Sequence, residues 1–211
     1  MTSVDRDPEL EEMRRSKKPL WVALAIVAAL VVLVAALGPS IRAAFTGSET
    51  AASAEYNDTD VHFLGMMVPH HEQAIEMSDV LLASDVDDPQ VRDLAQRIKD
   101  GQEAENEQMR AWADEWGVQE DMEHHSRHIA NGMFTPAQLD EFATLRGDEL
   151  RTTFLEWMHH HHKYVIDMTQ GEVTSGAYQP LREMGQQMID VQTAEMAEME
   201  QMLGYEPDLT Q

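Results

Sequence analysis

The chain has 211 residues and no cysteine, with 15 basic and 39 acidic side chains and a formal net charge of −24 at neutral pH. The absence of cysteine excludes disulfide bonds, thiolate metal sites and cysteine nucleophiles. After residue 43 there are 9 basic and 34 acidic groups, a formal charge of −25. We exclude nucleic acid as a partner because such a surface repels phosphate.

An apolar segment near the N-terminus predicts a membrane anchor. Leu20–Leu37 is a run of 18 residues without a charged side chain, just long enough to span a bilayer core as a helix. Basic residues are concentrated before this run and only Arg42 follows it closely, so the positive-inside rule places the remainder of the chain outside the cytoplasm. A cleaved signal peptide is the alternative, with the same location for the remainder. We predict a single-pass protein of the cell membrane, with a cytoplasmic tail over 1–19, a transmembrane anchor over 20–43 and a flexible tether over 44–57.

Beyond the tether, apolar residues recur at helical spacing in long stretches, and no stretch has convincing strand alternation. Asp88 and Pro89 form an N-cap followed by proline at the first helical position, and Thr135 with Gln138 fits a capping box. We therefore predict an all-α fold with long helices over about 58–84, 89 to Gly117, 148 to Gly171 and 180 to Gly204, and a short helix from Thr135.

The first two long helices resemble the last two in sequence. Matched positions lie 91 residues apart in the first helix of each pair and 90 apart in the second, which indicates a duplicated helical hairpin. Two such hairpins would pair into a four-helix bundle over 58–204, with repeats 58–117 and 148–204 and a histidine-bearing linker over 118–147. The matches include His70-His71 with His161-His162, Gln102 with Gln192, Glu105 with Glu195, Met67 with Met158, and Met109 with Met199.

These matched polar residues fall on or beside the predicted core seams, where a buried polar group needs a partner. Two arrangements satisfy them. The histidines can hydrogen-bond to Glu and Gln across the bundle without a metal, or a metal can collect imidazole, carboxylate and thioether ligands. Thioether with imidazole favours copper, with zinc as the alternative. The candidate ligands are His70, His71, His161, His162, Glu105, Glu195, Met67, Met109, Met158 and Met199, with Gln102 and Gln192 behind them.

Further histidines and one proline extend this pattern. His159 and His160 precede the second pair, and helical geometry leads us to expect at least one of the four consecutive histidines to face solvent. Pro69 precedes the first pair and removes a helical hydrogen bond, so it predicts a bend. A secondary metal site is a further possibility in the linker, at His124, His125 and His128.

The segment from Asp60 to Met77, Gln102-x-x-Glu105 and the second His161-His162 resemble the DUF305 family. The resemblance covers about residues 58–204 and implies a ferritin-like helical bundle. It also implies copper binding outside the cytoplasm at the two histidine pairs, and the family has no generally established enzymatic activity. The second copy departs from the family pattern through His159, His160 and Lys163. The positive charge of Lys163 would weaken metal binding at the second pair, so we expect either unequal sites or a working site at the first pair alone.

We therefore expect a membrane-anchored copper-binding protein that sequesters or delivers the metal, with a metal-trafficking protein as a possible partner. A metal-dependent oxidase that uses the same core is one alternative. A metal-free helical scaffold that binds a protein partner through its acidic surface is another.

Overall fold

The computed structural model describes residues 55–121 and 132–209, and these ranges contain helices and their connections without a strand. The predicted all-α class is confirmed. The predicted cytoplasmic tail, the anchor and most of the tether lie outside the described residues. Within those residues, no helix is both long and apolar enough to cross a membrane. The helices in chain order are α1 (Asp58–Ala83), α2 (Pro89–Trp116), α3 (Pro136–Phe142), α4 (Gly147–Ser175) and α5 (Gln179–Leu203).

The four long helices pack as α1 on α2, α4 on α5, and α1 on α4. Their buried apolar residues form two clusters. The cluster that we call the lower core contains Met77 and Leu94 from the first two helices together with Phe154 and Met199 from the last two. The upper core contains Leu64, Met109, Val165, Leu181 and their neighbours. The ferritin-like topology of this bundle stays a prediction.

Capping residues set most of the helix ends, as the sequence predicts. The Asp88 side chain accepts hydrogen bonds from the N–H groups of Gln90 and Val91 at the start of α2. Thr135 and Gln138 form the predicted capping box at the start of α3. At the C-terminal ends, Gly117 has φ of 71° after α2 and Gly204 has φ of 80° after α5, a backbone conformation that favours glycine.

The end of α4 differs from the prediction. The helix passes through Gly171 and ends only at Gly176. Gly171 is exposed and surrounded by open space. It therefore lowers the stability of the helix only by the roughly 1 kcal/mol by which glycine is less favourable than alanine in a helix interior. The inner face continues past it, because Thr169 and Glu172 are both buried. Tertiary packing therefore carries the helix beyond its predicted stop.

Candidate metal centre

A polar layer crosses the middle of the bundle between the upper and lower cores. On each long helix its residues separate those of one core from those of the other. All side chains of this layer are buried except that of Glu105, which is half-buried. The layer therefore places polar side chains where water has little access, and their partners decide its chemistry. The polar layer comprises His70, His71, Gln102, Glu105, Asn106, His159, His160, His161, His162, Gln192 and Glu195.

Two imidazole–carboxylate pairs occupy equivalent positions in the two halves of the layer. The Nε2 atom of His71 lies 2.7 Å from Oε2 of Glu105, and Nε2 of His162 lies 2.8 Å from Oε2 of Glu195. In both histidines the Nδ1 atom is buried and has no hydrogen-bond partner in the protein. In the tautomer whose Nε2–H donates to the carboxylate, Nδ1 carries the acceptor lone pair.

His70 and His161 meet across the interface of α1 and α4. Their ring centroids are 3.8 Å apart and the rings are tilted by 54°. Both ring nitrogens of His161 are buried without a hydrogen-bond partner. Burial, and secondarily the neighbouring His70, hold the pKa of His161 well below its usual 6.5. His161 is therefore a neutral imidazole near physiological pH, which is the form that binds metals.

The four candidate methionines are fully buried on either side of the polar layer. Met67 and Met109 belong to the upper core, whereas Met158 and Met199 belong to the lower core. The amides of Gln102 and Gln192 lie within the layer. Neither amide atom of Gln102 has a hydrogen-bond partner, and neither does the oxygen of Gln192.

The described part of the chain contains no group of three or more His, Asp or Glu side chains arranged to hold a metal ion. His161 lies close to both His70 and His162, but these imidazoles and carboxylates alone do not complete a coordination shell as they stand. His124, His125 and His128 of the predicted secondary site lie outside the described residues.

The expectation that one of the four consecutive histidines faces solvent is wrong. His159 and His160 are both buried. The connection before α3 covers His160 on the side of α4 that a two-helix seam would leave open. In this connection Phe134 stacks on Trp157 with ring centroids 4.0 Å apart, and His160 lies 5.8 Å from the same Phe134 ring. Burial, followed by the charge of Lys163, lowers the pKa of His160.

Sequence reasoning missed two contacts of the layer. His159 Nε2 lies 3.0 Å from Glu200 Oε1, which makes a third imidazole–carboxylate pair. The first half of the predicted repeat has Val68 and Arg110 at the matching positions, so the sequence pattern did not indicate this pair. The other missed residue is Asn106, whose buried Nδ2 donates to the Val68 carbonyl at 3.2 Å. Its position one residue after Glu105 on α2 is the only sequence signal for this contact.

Residues 60–203 match the family model described as "Domain of unknown function (DUF305)". The chain belongs to the DUF305 family. The match covers the four long helices and the polar layer, and it confirms the resemblance that the sequence motifs indicate. A search of curated proteins gave no match.

Solved structures of DUF305 proteins share this fold. A candidate secreted protein from Streptomyces coelicolor is 28% identical, with a TM-score of 0.65 over 72% of this chain and 98% of that one. A DUF305 fragment from Deinococcus radiodurans is 26% identical, with a TM-score of 0.61 over 71% of this chain and 97% of its own. CopM in its Cu(I)-bound form is 27% identical, with a TM-score of 0.57 over 69% of this chain and 95% of CopM. CopM has also been solved with Cu(II) and with silver.

Proposed function

We propose that this DUF305 protein is a membrane-anchored, extracytoplasmic metal-binding protein that sequesters or delivers copper through the polar layer. The observation that carries the proposal is the paired geometry of His71 with Glu105 and His162 with Glu195. A histidine that ligates a metal commonly gives its other ring N–H to a carboxylate, which fixes the tautomer and raises ligand basicity. Both pairs have this form, and each leaves a buried Nδ1 without a partner.

In this proposal the carboxylates orient imidazoles, while His70 and His161 supply further nitrogen donors. The donor set fits copper, because imidazole suits Cu(II) and thioether sulfur suits Cu(I). The buried methionines on both sides of the layer are the candidates for the soft ligands. Since no three imidazoles and carboxylates in the described part of the chain are arranged to hold an ion, a complete shell needs a thioether or a side-chain rearrangement on binding. Zinc bound by His and Glu is the alternative metal.

The comparison with CopM supports copper as the ion, since CopM has been solved with Cu(I) and Cu(II) bound. The location rests on the sequence: the apolar run Leu20–Leu37 and the basic residues before it favour an anchored domain outside the cytoplasm. An anchored copper carrier needs a donor or acceptor, and we propose a metal-trafficking protein for that role.

A copper titration of the whole chain in both oxidation states, with a chromophoric competitor, tests this function. The wild-type chain is expected to bind copper tightly, and the double variant His70→Ala/His71→Ala is expected to lose the step that depends on the first pair. His62→Ala is the matched control, because His62 lies on the same helix but is exposed and outside the layer. Circular dichroism of each variant checks that the helices remain.

A second double variant, His70→Gln/His71→Gln, keeps polar side chains of similar size, so it separates loss of ligands from loss of packing. Unchanged copper stoichiometry and affinity in both double variants would contradict the assignment. A wild-type chain that binds neither copper nor zinc would identify the polar layer as a hydrogen-bonded structural network instead.

A further inference from the structure

The peptide bond before Pro69 has a side-chain partner from the neighbouring helix. Proline has no N–H, and its ring clashes with the carbonyl four residues earlier, so the Gly65 carbonyl loses its helical hydrogen-bond donor although α1 continues through Pro69. The Val68 carbonyl, which belongs to the Val68–Pro69 peptide bond, accepts a hydrogen bond from Nδ2 of Asn106 at 3.2 Å. The amide thus attaches α2 to α1 directly before the first histidine pair.

A second contact holds α1 directly after the same pair. The Gln73 side chain is buried and makes two hydrogen bonds with the backbone of Phe134. Its Nε2 donates to the Phe134 carbonyl at 3.0 Å, and its Oε1 accepts from the Phe134 N–H at 2.7 Å. His70 and His71 therefore lie between two side-chain-to-backbone contacts made by different parts of the chain.

The second histidine pair has neither contact. At the offsets of the sequence repeat, Asn106 corresponds to Met196, Gln73 to Tyr164 and Pro69 to His160. Met196 cannot reproduce the Asn106 contact, since a thioether donates no hydrogen bond. Tyr164 carries its donor and acceptor on one oxygen, whereas Gln73 uses two separate amide atoms for its two hydrogen bonds. The proline and both amides thus occur together in one copy and are absent together from the other.

The burial of the Asn106 side chain is also unfavourable in free energy. Its side chain is 2% exposed, and its Oδ1 atom is buried without a hydrogen-bond partner in the protein. A half-satisfied buried amide costs free energy that an apolar side chain such as the methionine of the second copy would not. A role that depends on the N–H donor accounts for asparagine at this position.

We propose that Asn106, supported by Gln73, is a positioning residue that fixes the imidazoles of His70 and His71 for a soft or borderline transition-metal ion. The first pair is then the tighter of two unequal metal-binding steps. This inference rests on the proposed function, because it concerns how the same polar layer binds its metal. It goes beyond that function by assigning the tighter step to the first pair and the difference to Asn106.

The test is a Cu(I) and Cu(II) titration of the whole chain that resolves the tight and the weak step. His71→Gln identifies the tight step by removing it. Asn106→Met introduces the residue of the second copy, and it is expected to weaken the tight step by about 10- to 100-fold, the usual range for a residue that orients a metal ligand. The weak step is expected to stay unchanged.

Thr169→Val is the matched control, because the Thr169 hydroxyl also donates to a backbone carbonyl inside the core, that of Val165 at 2.7 Å. It removes a buried contact of the same class about two turns from the second pair. The NMR spectrum of the histidine ring nitrogens, recorded without metal, provides an independent measurement of how the rings are positioned. Asn106→Met is expected to shift the His71 signals and to leave the His162 signals in place, whereas Thr169→Val shifts neither.

Asn106→Leu provides a second variant of nearly the original size, so the measurement does not depend on the folding of a single substitution. Both steps weakening equally in folded Asn106 variants, or neither changing, would overturn the positioning role and leave copper binding by the layer intact. A wild-type chain without any copper-binding step would overturn the proposed function and this inference together.

Discussion

Glu172, in the last turn of α4, gives the sharpest prediction about stability. Its side chain is 1% exposed, and neither carboxyl oxygen accepts a hydrogen bond from a donor in the protein. It lies beside Asp60, a fully buried carboxylate that accepts hydrogen bonds from the backbone N–H groups of Asn57, Ala177 and Tyr178. Two carboxylates cannot bond to each other unless one of them carries a proton.

Burial, followed by hydrogen bonding to Asp60 and the charge of Asp60, raises the pKa of Glu172 from 4.5 to about 8, although Arg182 opposes the shift. In the unfolded chain the group has its ordinary value. Between these two values the folded state binds a proton that the unfolded state has released, so the free energy of unfolding falls as the pH rises. The slope is roughly 1.4 kcal/mol per pH unit, which amounts to roughly 3 kcal/mol at pH 7.

The variant Glu172→Gln removes this titration and keeps the shape of the side chain, while its amide N–H can donate to Asp60. It is expected to be more stable than wild type by roughly 3 kcal/mol at pH 7, and the difference is expected to disappear below the ordinary pKa of glutamate. Urea unfolding followed by tryptophan fluorescence, below pH 4.5, at pH 7 and above pH 8, measures the difference.

Glu107→Gln is the control for the loss of one negative charge, because Glu107 is exposed on α2. It is expected to change stability by less than about 0.5 kcal/mol at every pH. A difference between Glu172→Gln and wild type that does not depend on pH would refute the reasoning, since it would show that Glu172 does not titrate between the stated values.

Three further outcomes follow from single contacts. Asp88→Ala removes the N-cap of α2 and the ion pair with Arg151, and it should lower the free energy of unfolding in urea by about 1–2 kcal/mol at neutral pH. Because Arg151 lowers the pKa of Asp88, this difference should shrink as the pH falls through the lowered pKa. Gly176→Ala would push a Cβ into the carboxyl group of Glu172 and should lower the stability measured by thermal unfolding by about 1–3 kcal/mol. Gly171→Ala faces open space and should raise that stability by about 0.5–1 kcal/mol, so equal effects of the two variants would contradict the Gly176 contact. Glu195→Gln, which leaves His162 without its carboxylate, should weaken the copper-binding step of the second pair about 10-fold or more in a competitor titration, and an unchanged affinity would exclude Glu195 as an orienting group.

The helix boundaries that the sequence predicted well are those set by local chemistry. Asp88 and the Thr135–Gln138 capping box act within three residues of themselves, so their effect can be deduced without knowing the fold. The end of α4 was predicted wrongly because it depends on long-range packing. Past Gly171, Val173 packs closely against Gly185 of α5, and such contacts between helices outweigh the local preference of Gly171 to end the helix.

The same distinction applies to the polar layer. The pairs His71 with Glu105 and His162 with Glu195 join residues that recur at offsets of 91 and 90, so the predicted repeat indicated that histidine and glutamate would come together in each half. His159 with Glu200 and Asn106 with the Val68 carbonyl have no counterpart in the other copy. The burial of His160 needed the position of Phe134, which reaches α4 from a separate connection. Contacts that break the repeat are visible only in three dimensions.

The polar layer also determines how the helices align along the axis of the bundle. An apolar interface tolerates a slide of one helix past another, because one methyl group replaces another at similar cost. Here a slide of α1 by one turn, about 5.4 Å, would move His71 away from Glu105 and bring an imidazole against the apolar residues of a core. Such a slip leaves a buried carboxylate and a buried imidazole without their partners, which is costly. The layer therefore fixes the axial register of α1 against α2, and through Glu195 and His162 that of α4 against α5.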